Sequence, residues 1–265
     1  MADSRSLRER VAGQSAMAEV VRAQRASAGP GRLARFFGAS PLTSDARQAY
    51  RGALGELTVG DMLERLGSRW DVLHDLPLGN SVLDHLVIGP AGVFAVVVTN
   101  CTERDVVIDG ADLLIAGEPG NQIAAASARA DAAASLLADA TGEHIRVRPL
   151  LVLVEPRKLV VRRPASVVRV VESTELERML TRAARTLTGD EVAAISDHAD
   201  LESTWPTPPA GTFDVQRLHQ DFAVVREEVR AALLRRVLWG VLAFAVVYAL
   251  TVGTIATLVA SMVNL

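Results

Sequence analysis

The chain has 265 residues, enough for one sizeable core with appendages, and 49% of them are hydrophobic while only 4% are aromatic. Its net charge of −3 hides an asymmetry: residues 1–51 hold nine arginines and four acids, whereas residues 52–265 hold 19 basic and 27 acidic residues. That balance disfavours a nucleic-acid-coating core domain; the single cysteine, Cys101, excludes an intrachain disulfide, and the five histidines show no paired zinc spacing.

Residues 1–46 read as a basic N-terminal arm. RSLRERVAGQSAMAEVVRAQRASA allows a helix, broken at Gly29-Pro30-Gly31 and again at Ser40-Pro41. Such an arm suits anionic lipid or nucleic acid, with simple solvation as the plainer alternative. A globular domain is expected over 47–202. It opens with a helix at about 47–67 and an extended segment at 70–77. Strands at 82–88 and 93–99 follow, joined by Gly89-Pro90-Ala91-Gly92, whose Pro90 and Gly92 suit the second and fourth turn positions. DVVIDGADLLIAG (105–117) reads as a hairpin turning at Asp109-Gly110. Alanine spacing over 119–140 predicts a helix that can pack closely on a sheet. RPLLVLVEP (148–156) has the near-continuous apolar character of a strand covered on both faces. One or two peripheral strands at 160–171 and helices near 173–186 and 188–201 complete the domain.

STWPTPPAGT is a Pro-rich linker, assigned to 203–213. Residues 214–236 predict an amphipathic juxtamembrane helix with an apolar seam at Val215, Leu218, Phe222, Val225, Val229 and Ala232. From Val237 onward no residue is charged, and 237–263 exceeds the roughly 20 apolar residues that a spanning helix needs. Trp239 lies near its entry, and Arg226, Arg230, Arg235 and Arg236 precede it. The positive-inside rule then places the N-terminal domain in the cytoplasm, with a single pass through the cell membrane. Small residues at Ala245, Ala249, Gly253, Thr257 and Ser261 recur every four positions. They would let two helices approach closely, so a homodimer through the juxtamembrane and transmembrane helices is one expectation; docking of the seam on the globular domain is the other. No Walker A loop, GxSxG elbow or GxGxxG is present.

Gly55-Glu56 on the first domain helix, Asp84-His85 on a hairpin strand, the Gly89–Gly92 turn and Val93-Phe94 beyond it carry a further signal. Together they closely resemble the nuclease-related domain (NERD) family, a branch of the restriction-endonuclease-like superfamily. The resemblance covers residues 48–155, with a weaker echo to about 205. It implies an α/β fold, a restriction-endonuclease-like mixed sheet flanked by helices, to which the C-terminal transmembrane helix is added. In that family the strand after the turn supplies a Glu-x-Lys pair beside a Glu from the helix and an Asp from the hairpin. Aligning GVFAVVVTN on the family's glycine puts Val97 at the Glu and Thr99 at the Lys. Gln122 resembles the family's polar residue near the active site; local hydrogen bonding at a helix start is its other reading. The remnant site is thus Glu56, Asp84, Val97, Thr99 and Gln122.

Three functions follow. The first is a membrane-anchored, catalytically inactive domain that acts in binding or assembly and takes no cofactor, although Glu56 and Asp84 could hold a metal weakly. The second is a metal-dependent nuclease with a rearranged site, in which Glu103, Asp105 or Glu118 moves into the cleft to hold Mg²⁺ or Mn²⁺. The third is a purely structural membrane protein. The only lysine, Lys158, has the wrong spacing to replace the missing one. The bilayer is the expected partner, and nucleic acid is disfavoured by the acidic domain.

Overall fold

Near-continuous apolar runs in 82–88 and 93–98, preceded by the extended segment at 70–77, let three successive strands bury both faces. In the computed structural model, which describes residues 7–26, 29–206 and 214–263, they are β1 (Asp71–Leu78), β2 (Ser81–Gly89) and β3 (Gly92–Asn100), paired antiparallel in order. β3 then runs parallel to β7 (Val147–Val154), and β7 parallel to β9 (Arg169–Glu172), giving a five-stranded mixed sheet. A second mixed sheet of four strands is built from β4 (Asp105–Asp109), β5 (Asp112–Ile115), β6 (Glu118–Gly120) and β8 (Lys158–Arg163), in the order β6-β5-β4-β8. Both hairpin turns fall where the turn residues predict them: Gly89 pairs Gly92 across Pro90-Ala91, and Asp109 pairs Asp112 across Gly110-Ala111.

Helices cover both faces of the larger sheet. α4 (Gln122–Thr141) turns Ile123, Ala126, Ala130, Ala133 and Leu137 onto the face that carries Val93, Ala95 and Val97. Its alanines lose little entropy on burial and allow close approach. α3 (Ser44–Leu63) and α5 (Ser173–Arg182) bury Val59, Leu63, Leu176 and Leu180 against the face carrying Phe94, Val96, Leu150 and Val152. α6 (Gly189–Ala199) begins with a capping box between Thr188 and Glu191.

The chain divides into two compact units, Met1–Glu19 with Gln48–Leu218, and Val20–Arg47 with His219–Leu265. The first departs from expectation at its N-terminal end. Residues 7–19, read as part of a basic arm, join the domain: Leu7 and Met17 are buried, and the Leu7 N–H donates to the Asp200 carbonyl. Arg8 and Arg10 are paired with Asp71 and Asp75, so their charge serves the fold. Composition misled here because an arginine whose carboxylate partner lies sixty residues away looks solvated.

The second unit holds α2 (Arg32–Phe36), parts of α1 (Gln14–Ala26) and α3, and most of α7 (Val215–Val263), one unbroken helix through the juxtamembrane and apolar segments. α7 is long and apolar enough to cross a membrane, and its most apolar stretch is unburied. Phe222, Val225 and Ala232 of the predicted seam are already buried in a single copy. Most of the Pro-rich linker, residues 207–213, lies outside the described residues.

Candidate functional site

β2 and β3 part company beyond the pair His85–Val96, the last in their register. The next residue on each strand is Asp84 and Val97. Instead of a ladder bond, the Asp84 side chain takes over: its Oδ2 accepts the Val98 N–H at 2.6 Å. Arg129, in the middle of α4, brings a guanidinium nitrogen to 3.6 Å from Asp84 Oδ1. Val97 points to the α4 side, packed in the cluster with Ala126 and Ala130 and only 3% exposed. Thr99 continues the same face at the strand end and is half-buried.

Glu56 approaches from α3, next to Gly55. The lack of a side chain at Gly55 lets the helix press on the end of β3; a Cβ there would stand 3.2 Å from Asn100 Cβ and 3.3 Å from Val98 Cγ1. Glu56 is half-buried, and burial pushes its pKa well above the usual carboxylate value, helped by the charges of Asp84 and Asp75 and opposed by Arg129. Asp84 is raised to about 6 by burial, against the pull of Arg129 and the Val98 N–H. Two acids and one guanidinium therefore share a small desolvated space, and burial raises the pKa of both acids.

Asp75 and Arg129 belong to this neighbourhood although the sequence did not single them out. Asp75 is buried in the left-handed region at φ 55°, skipped by the register between His74–His85 and Leu76–Leu83. That turn sends its carboxylate to the start of α1, where it accepts from Ser15 N–H at 2.8 Å and Ser15 Oγ–H at 2.9 Å and pairs with Arg10. A carboxylate is favoured there by the exposed N–H groups of the helix start. An acid in an otherwise apolar strand was the available signal. For Arg129 it was the lone cation of an alanine-rich helix.

His85, next to Asp84, is fully buried. Its Nδ1 lies 2.8 Å from His74 Nδ1, with the rings edge to face, on the side where a Cβ at Gly60 would meet both. One ring must donate and the other accept. His85 Nε2 is buried without a hydrogen-bond partner.

The remaining candidates stand apart. Gln122 folds back on Gly120, where a Cβ would collide with its amide, and its buried Oε1 has no partner. Asp105 is gripped by two nitrogens of Arg157, at 2.8 and 2.7 Å, while Glu103 and Glu118 are exposed. Lys158 is exposed at the start of β8. Among the described residues no three His, Cys, Asp or Glu side chains form a group able to hold a metal ion.

The helix bearing Glu56, the hairpin bearing Asp84, the parallel strand β7 and the alanine helix form one continuous stretch, and residues 51–154 match the family model described as the nuclease-related domain. This stretch is a nuclease-related domain. Comparison with curated proteins and with solved structures finds no match. The match ends at the last residue of β7, and β8 and β9 complete the two sheets beyond it.

Proposed function

We propose that this chain is a membrane-anchored nuclease-related domain that has lost phosphodiester chemistry and acts by binding or assembly. The observation that carries the proposal is Val97: a buried isopropyl group occupies the strand position next to Asp84 from which a second acid would meet a metal. Mg²⁺ demands near-octahedral oxygen ligation from carboxylates, water and phosphate. Here Asp84 is engaged by the Val98 N–H and Arg129, and Glu56 is held toward its neutral form. These residues do not fit a catalytic divalent ion.

Purified full-length protein in detergent, given Mg²⁺ or Mn²⁺ with DNA and RNA, is expected to cleave neither. Cleavage that disappears in Asp84→Ala would overturn the proposal. A second reading, a nuclease with a rearranged site, draws support from Arg129, which sets a cation beside Asp84 from α4 instead of from β3. It requires cleavage that is lost in both Asp84→Ala and Arg129→Ala. The four arginines before the apolar stretch of α7 favour a cytoplasmic position for the domain.

A further inference from the structure

α2 is a five-residue helix that, with the Phe37 that caps it, leaves large apolar side chains more than half exposed. Leu33, Phe36 and Phe37 are 75%, 57% and 54% exposed. Their spacing of three and four places them on one helical face, with Arg32 and Arg35 off it. Three bulky side chains presented together in this way mark a contact surface, since scattered singles would need no explanation.

The fastening of this element identifies what it contacts. Phe36, Phe37 and Trp239 form a triad with ring centroids 5.1–5.2 Å apart. The Trp239 indole N–H donates to the Phe36 carbonyl at 2.9 Å. Gly38, at φ 81°, lies directly on the α7 backbone: a Cβ would stand 2.5 Å from Arg236 N and 2.6 Å from Ala232 O. The Arg236 guanidinium donates to the Gly38 carbonyl at 3.1 Å. α2 is thus locked to α7 at the point where its arginines give way to the uncharged stretch.

Charge points the same way. Residues 20–44 contain no acid, and neither does any position after Glu228; Glu227 and Glu228 line one groove with Arg35 and Arg235, while Arg32 and Arg236 lie in the acid-free segments. Aromatic rings beside a guanidinium collar, at the entry of a spanning helix, match the boundary between headgroups and acyl chains.

We propose that α2 is a second membrane contact, a wedge whose Leu33, Phe36 and Phe37 enter the acyl boundary of the bilayer while the arginines meet headgroup phosphates. The proposal rests on the reading of α7 as a span. It is tested in the full chain reconstituted into phospholipid vesicles, with a nitroxide on single introduced cysteines: Leu33→Cys and Phe37→Cys, Leu250→Cys in α7, and the exposed Val161→Cys of β8 as the aqueous reference. Cys101 is buried, and burial raises its thiol to about 11, so it does not compete for label. Labels at 33 and 37 are expected to favour oxygen over a water-soluble nickel chelate severalfold, as Leu250→Cys does and Val161→Cys does not. Labels at 33 and 37 that behave like Val161→Cys while Leu250→Cys stays in lipid overturn the wedge alone. If Leu250→Cys is aqueous as well, the span reading falls with it. Shielding of 33 and 37 from both reagents, with dipolar broadening between labels, would identify a second copy of the chain as the occupant and also overturn the wedge.

Discussion

His74 and His85 show what burial does to a titratable pair. Burial holds His74 down at about 4 and His85 well below its usual value, with the His74 charge adding to the second shift. The unfolded rings take up protons near 6.5 while the folded rings refuse them, so this contribution is complete above about 6.5 and is lost as pH falls toward 4. Asp84 acts in the opposite sense: its raised pKa gives stability that is full below its unfolded value, about 4, and lost as pH rises through 6. Each group alters stability by at most about 1.4 kcal/mol per pH unit in its window. Glu56, also raised, acts with Asp84, so two acids oppose two histidines between pH 4 and 6, and the wild type should be nearly flat there. Replacing both histidines by phenylalanine is expected to leave the acid contribution uncovered, so that the variant becomes more stable as pH falls from 6.5 to 4. Urea midpoints at half-unit intervals check this; curves running parallel to the wild type would refute it.

At the scale of elements, close packing at glycines fixes the hairpin on which the site is built. A Cβ at Gly89 would fall inside the half-buried Trp70 indole, so the ring must shift to admit it. Gly89→Ala should cost about 1–3 kcal/mol, as overpacking does elsewhere. Denaturant melts would show it; an unchanged midpoint would mean that the indole is free to move aside. Most elements were legible from local signals. The Gly89–Gly92 turn set off β2 and β3, the unbroken apolar run exposed β7, and alanine spacing exposed α4. The positions of Glu56, Asp84, Val97 and Thr99 followed from the hairpin glycines once the family pattern was laid on them. Arg129 and Asp75 did not follow, because their roles depend on contacts across the fold. Asp75 also breaks alternation through a left-handed residue, and Arg10 reaches it from 65 positions away. The docking of residues 7–19 was hidden for the same reason, and β6, three residues long, is too short for any periodicity to reveal.

The whole molecule joins a nuclease-related domain to one helix that outlasts it. The full chain is expected to stay with membranes through alkaline carbonate washing, whereas a chain ended after Arg236 should be released while retaining the domain's melting behaviour. Release of the full chain would remove the anchor from the account. α7 runs 49 residues, about 74 Å at 1.5 Å per residue, and Gly240 and Gly253 are its only helix-weakening residues, both within the apolar stretch. A rod without a joint along its charged half does not absorb rotation. With its apolar half in a bilayer, a roll or tilt of that half, as when a neighbour grips it or the bilayer thins, would be carried along the same helix into its charged half. The helix is then a crankshaft as much as a tether.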